Sequence, residues 1–110
     1  MYTVSMPEIA AVILAAGKGT RMGPLPVPKV CLPVCGTPAI VRAVNLYARC
    51  GVSPQVVVIG DRGEEVRKTL TDAGARVLFA VQPEQRGSGD AARIGVDCLG
   101  ERGYRGDVLL

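Results

Sequence analysis

Two glycine-rich polar segments carry the residues of this chain best suited to chemistry. The first is Ala16-Gly17-Lys18-Gly19-Thr20-Arg21-Met22-Gly23, with Lys29 a little beyond it; the second is Gln82-Pro83-Glu84-Gln85-Arg86-Gly87-Ser88-Gly89. Loops with little side-chain bulk let backbone N–H groups close on a phosphate, and a helix terminus nearby adds favourable dipole charge. Arg21 can fork across two phosphate oxygens, whereas Lys29 supplies a compact point charge. This set suits a transfer between phosphates. The attacking oxygen is then already an anion, so the step needs positioning and charge neutralisation rather than a strong base. The absence of His from all 110 residues is therefore no obstacle. The plain alternative is two tight turns and two surface cations, which the pairing of both loops with Arg21 and Lys29 weighs against.

The first loop does not match the two common glycine fingerprints. A P-loop needs Ser or Thr after Gly-Lys, but Lys18 is followed by Gly19, and the dinucleotide fingerprint needs a glycine where Met22 stands. Asp61 could still mimic the ribose-binding acid of a dinucleotide fold, so a nicotinamide or flavin oxidoreductase stays open as a second class.

Both loops need strands to present them. Ile9-Ala10-Ala11-Val12-Ile13-Leu14-Ala15 is a continuous apolar run, as expected of a strand buried on both faces, and it leads directly into the first loop. Pro24, Pro26 and Pro28 hold the next segment irregular, Lys29 to Leu32 reads as a short extended piece, and Cys35-Gly36 reads as a turn. Thr37-Pro38 is a helix start, with Thr37 at the cap. The helix runs to about Cys50, with Ile40, Val41, Val44 and Tyr47 inward, and Gly51 stops it. Gln55 to Ile59 is the second strand. Glu64 to about Ala73 is a second helix, with Val66, Leu70 and Ala73 inward and Glu65, Arg67 and Lys68 in water. Arg76 to Val81 is the third strand and delivers the second loop, which feeds a helix from about Asp90 to Leu99. Asp107 to Leu110 begins a fourth strand. Strands alternating with helices point to an α/β fold, a doubly wound and mostly parallel Rossmann-like sheet, cut off after the start of its fourth strand.

Composition agrees. At 110 residues, 48% hydrophobic and 4% aromatic, the chain builds one domain over residues 1–110 with an aliphatic core. A net charge of +3 without a basic run gives no nucleic-acid surface, and the apolar run at Ile9–Ala16 is far too short to span a membrane. No secretory signal precedes it, so a cytoplasmic location is expected. Cys31, Cys35, Cys50 and Cys98 lack the paired spacing of a metal site and read as buried or half-buried thiols, with a Cys31–Cys35 disulfide left open.

Leu14-Ala15-Ala16-Gly17-Lys18-Gly19-Thr20-Arg21-Met22 followed by Pro28-Lys29 resembles the signature of the sugar-1-phosphate nucleotidyltransferases. Gln82 to Ala91 resembles a second motif of one branch, the N-acetylglucosamine-1-phosphate uridylyltransferases, usually Gln-x-Glu-Gln-x-Gly-Thr-Gly-His-Ala. The resemblance implies a sheet of the nucleotide-diphospho-sugar transferase type and an enzyme that moves UMP from UTP to N-acetylglucosamine 1-phosphate, releasing pyrophosphate. It implies that Ala16 and Gly17, with Leu14 and Ala15 leading in, hold the base and ribose side, and that Gly19 and Thr20 wrap the triphosphate. Arg21 would grip the departing phosphates and Lys29 the reacting ones. Gln82 and Gln85 would contact uracil, with Gly87 and Ser88 completing the base pocket. Partners would be a nucleoside triphosphate and a sugar 1-phosphate; a homo-oligomer is compatible with this.

The chain departs from the pattern at several points. The step from Arg21 to Lys29 is one residue longer, Ser88 replaces Thr and Asp90 replaces His. These departures keep dTTP, GTP or CTP as alternative donors; other sugar phosphates, molybdenum cofactor or a polyol phosphate stay open as acceptors, because the resemblance places the acceptor site beyond residue 110. Magnesium is the implied cofactor, but its Asp would follow the fourth strand, beyond residue 110; Asp107 precedes that strand and is not assigned the role, so no metal ligand is named. The expectation is that residues 1–110 are the N-terminal nucleotide-binding portion of a nucleotidyltransferase domain, without its acceptor-binding half, and turn over poorly or not at all alone; a non-catalytic nucleotide-binding module is a third class.

Overall fold

A strand with apolar side chains at every position must be covered on both faces, and two such runs form the centre of this fold. The structure, a computed structural model, describes residues 8–16 and 28–110. In chain order these form β1 (Ile9–Ala15), a 3-10 turn (Lys29–Cys31), β2 (Pro33–Val34), β3 (Thr37–Pro38), α1 (Ala39–Arg49), β4 (Gln55–Ile59), α2 (Gly63–Asp72), β5 (Leu78–Val81), α3 (Ser88–Glu101) and β6 (Asp107–Leu109). The main sheet has the order β5-β4-β1-β6 and every pairing in it is parallel. Ala11 to Ala15 lie opposite Gln55 to Ile59, and Ile9 lies opposite Asp107.

Side chains alternate between the faces of a strand, and each face has its own helical cover. On one face α1 and α2 bury Ile40, Val41, Val44, Val66 and Leu70 against Val57 and Ile59. On the other, α3 buries Ala91 and Leu99 against Ala10, Val12, Val56 and Val58. The sheet is thus doubly wound, as expected. Gln55, itself buried, donates from Nε2 to the Val44 carbonyl at 3.1 Å and ties α1 to the start of β4. Among the described residues no helix is long and apolar enough to cross a membrane.

Helix ends follow local chemistry. Gly51, at φ +79°, donates to Ala48 O while Val52 donates to Tyr47 O, which satisfies carbonyls that the end of α1 would leave unpaired. The ends of α2 and α3 repeat this pair of bonds.

Several local expectations are corrected. Lys29 to Cys31 is a 3-10 turn, closed by Cys31 N–H on Pro28 O at 2.8 Å, rather than an extended piece. Thr37 does not cap α1. Positive φ at Cys35 and Gly36 folds β2 back on β3, so Thr37 and Pro38 pair with Val34 and Pro33. The helix then begins at Ala39, whose N–H finds Leu32 O at 2.9 Å, and Arg42 fastens the hairpin by donating to the carbonyls of Val34 and Cys35. Ala73 is exposed because α2 has ended by then, and Gly63 takes the inward place beneath Ile59. Arg67 is half-buried, its guanidinium 4.7 Å from the centre of the Phe79 ring. All four cysteines are free; Cys35 at its turn and Cys50 at the end of α1 are exposed, not buried.

Candidate functional site

From β1 the chain winds outward through β4 to β5, and α3 then carries it back to β6 on the far side of β1. Connections therefore diverge at the carboxyl end of β1, where parallel sheets of this kind bind ligands. A cleft of about 550 Å³ opens there, across the ends of β1, β4 and β5, lined by Ala16, Gly60, Asp61, Gln82, Glu84 and Gln85 among others. Gly60 is the point of closest approach. A Cβ at that position would stand 3.1 Å from Ala16 Cβ, 3.3 Å from Ala16 O and 3.4 Å from Gln82 O. Two of these neighbours are backbone atoms that cannot rotate away. Gly60→Val is therefore expected to force the three strand ends apart, at about 1–3 kcal/mol, and thermal unfolding should show a drop of several degrees. An unchanged melting temperature would mean that the cleft floor yields freely.

Gln82 is the most constrained polar residue of the cleft. Its backbone N–H extends the ladder by bonding Ile59 O at 2.8 Å, and the residue is only 5% exposed. Its Nε2 donates to Asp90 Oδ2 at 3.0 Å and to Gly87 O at 3.3 Å. Asp90 lies in the first turn of α3 and also accepts from Arg93 Nη2 at 2.8 Å. The Gln82 amide first, and then Arg93, holds the Asp90 carboxyl below the usual carboxylate range. Gly87, at φ +90°, starts α3 and accepts from Ala91 N–H at 3.2 Å. Next to Asp61 in the chain, Arg62 makes a two-pronged contact with Glu65, at 2.9 and 2.8 Å, in the first turn of α2. That contact raises the Arg62 pKa and lowers that of Glu65.

The structure brings Ala16, Gln82 and Gln85 to one cleft and sets Gly87 and Ser88 at the adjoining start of α3. Leu14, next to last in β1, is exposed, while Ala15 is buried toward α1 and α2. Lys29 sits apart, exposed in its 3-10 turn, and makes no ion pair with any described residue. Gly17, Gly19, Thr20 and Arg21 lie outside the described residues. Sequence reasoning overlooked Gly60, whose signal was a glycine directly after a buried strand, and the contact between Gln82 and Asp90, which no periodicity encodes. Asp61, a possible ribose contact in a dinucleotide fold, lies on the cleft.

Magnesium is commonly held by one or two carboxylates together with substrate phosphates. The described residues contain no group of three or more metal-ligating side chains. Asp107, at the amino end of β6 opposite Ile9, is at the other end of the sheet from the cleft.

The chain is 41% identical over 103 residues to the bifunctional protein GlmU of Roseobacter denitrificans, covering 94% of this chain and 22% of that protein. It is 48% identical over 87 residues to GlmU of an Exiguobacterium species, covering 79% and 18%. It therefore spans about a fifth of the length of these curated relatives. Among solved structures, UDP-glucose pyrophosphorylase from Acinetobacter baumannii superposes with a TM-score of 0.66 at 26% identity, over 96% of this chain and 45% of that one. Residues 11–104 match the model of the MobA-like NTP transferase domain, and the chain belongs to that family.

Proposed function

We propose that this chain is the nucleotide-binding portion of a cytoplasmic nucleotidyltransferase that transfers UMP from UTP to N-acetylglucosamine 1-phosphate and releases pyrophosphate. The observation that carries the reading is the cleft itself: Gln82, buried and anchored, faces the point at Ala16 where the first glycine-rich loop leaves β1. In this reading Gln82 and Gln85 meet the base, Gly87 and Ser88 close the pocket, and Leu14 to Gly17 provide the ribose side. Gly19, Thr20 and Arg21 receive the triphosphate. An oxygen of the sugar phosphate attacks the α-phosphorus, the bond from that phosphorus to the bridging oxygen breaks, and pyrophosphate departs with its charge countered by Arg21 and Lys29. A divalent cation, when bound with the triphosphate, neutralises further phosphate charge. Support for uridine comes from the second motif and from a structural relative named for a UDP-sugar. Family membership favours a transferase over an oxidoreductase that would use Asp61 on a ribose.

Calorimetry with UTP, dTTP, CTP, GTP, ATP and NAD, each in the presence of magnesium, tests the reading. UTP is expected to bind most tightly. Binding of no triphosphate, or tighter binding of NAD, would overturn the assignment while leaving the fold as described.

A further inference from the structure

Gln82 has a one-sided hydrogen-bonding pattern. Its Nε2 is engaged by Asp90 Oδ2 at 3.0 Å and Gly87 O at 3.3 Å, while Oε1 accepts from no described residue. The two ends of a glutamine amide are otherwise interchangeable by a half-turn, which swaps donor for acceptor. Here the half-turn would set Oε1 against a carboxylate and a carbonyl, three acceptors together. Chemistry therefore fixes the orientation. Asp90 is itself braced by Arg93, which bonds it at 2.8 Å and reaches Asp97 at 3.1 Å further along α3. Its side chain is 20% exposed and lines a neighbouring hollow with Pro83, Arg86 and Arg93, not the cleft. Among the described residues that line the cleft, Gln82 is the one that Asp90 touches, so Asp90 acts on a cleft ligand through it. It also stands where the resembling motif carries His, and an ionised carboxylate accepts only, whereas a neutral imidazole can donate or accept.

We infer that Asp90 is a positioning residue for base choice: by holding the Gln82 nitrogen from behind, it presents Oε1 to the cleft as a fixed acceptor for a ring N–H. This rests on the nucleotide reading above. The imide N–H of uracil or thymine satisfies such an acceptor. Cytosine carries a lone pair at the corresponding ring nitrogen, so two acceptors would face each other unpaired, and the site rejects it.

Asp90→Asn tests this in the full chain. The substitution keeps the shape but offers a donor as well as an acceptor, so the flipped Gln82 amide is opposed only by the longer Gly87 carbonyl contact and the two orientations come closer in energy. Dissociation constants for UTP, CTP and inorganic pyrophosphate would be measured by calorimetry for the wild type, Asp90→Asn and Asp90→Glu, with thermal melts confirming that each is folded. The preference for UTP over CTP should fall on the order of tenfold in Asp90→Asn, with pyrophosphate affinity unchanged, and Asp90→Glu, which keeps the carboxylate, should retain part of the preference. An unchanged preference in Asp90→Asn, or an equal loss of UTP and CTP, overturns the inference. A wild type that binds triphosphates without preferring UTP to CTP overturns it while sparing the nucleotide reading, and a wild type that binds no nucleotide overturns both. Should Asp90→Asn fail to fold, Asp90→Ala, which removes the carboxylate and leaves the amide only the longer Gly87 contact, is expected to lose the same preference, and its retention would sink the idea.

Discussion

Gly95→Val is expected to lower stability by about 3 kcal/mol, the upper part of the range for inserting bulk into a well-packed core. Gly95 lies in the buried face of α3, where the helix crosses β1 and β4. A Cβ there would collide with Val12 Cγ1 and would stand 3.1 Å from both Val12 Cγ2 and Val58 Cγ2. Val12 is 1% exposed and Val58 is fully buried, and β-branched side chains have few alternative rotamers. Neither can move aside, so the helix must lift. Even Gly95→Ala, which would gain up to about 1 kcal/mol of helix propensity at an open site, should be net destabilising here. The effect should also travel along the helix, because α3 carries Asp90 at its start and so controls the partner of Gln82. For a domain of this size each kcal/mol is worth roughly 4–8 °C, so differential scanning of Gly95→Val should show a fall of more than about 10 °C. A melting temperature close to the wild type would mean that α3 does not pack on the sheet as described.

The parts of the fold that were legible in sequence are those where one physical requirement dominates. Ile9–Ala15 and Gln55–Ile59 are strands over the residues expected because unbroken apolar runs bounded by polar or turn residues leave no other choice. Gly51 ended α1 for a similarly local reason. The misreadings arose where two local signals competed or where a tertiary partner decided. Thr37-Pro38 is a good helix start in isolation, but the turn at Cys35-Gly36 recruits the same residues into a ladder. Lys29–Cys31 carries no periodicity, and its 3-10 form depends on the Pro28 carbonyl and on Cys31 being buried against α1 and α2. At the site, the glycine loops revealed which residues could approach a phosphate or a base. They could not reveal that Gln82 is held from behind, because Asp90 is eight residues away and the two meet only when α3 folds back beside β5.

Lys29→Ala should separate charge used for chemistry from charge used for folding. Lys29 is exposed, its ammonium pairs with no described carboxylate, and its turn is closed by backbone bonds rather than by its side chain. Its removal should therefore change stability by no more than about 0.5 kcal/mol, as for an ordinary surface residue. If the ammonium stabilises charge at the reacting phosphates, as proposed, transfer should nonetheless slow by about 10²–10³-fold, the usual consequence of deleting one preorganised charge or donor in a transition state. Arg21→Ala should be similarly severe. Arg21→Lys should restore only part of the rate, because an ammonium cannot reproduce the two parallel bonds of a guanidinium on phosphate oxygens. Single-turnover release of labelled pyrophosphate from UTP and N-acetylglucosamine 1-phosphate, sensitive enough for the low basal rate expected of these residues alone and measured beside thermal melts, reads both quantities at once. A slow but normally stable Lys29→Ala places that residue with the phosphates although it is not among the described residues that line the cleft. Turnover within about threefold of the wild type would correspond to well under 1 kcal/mol of transition-state stabilisation, and Lys29 would then be a surface cation, with Arg21 left to counter the departing pyrophosphate alone.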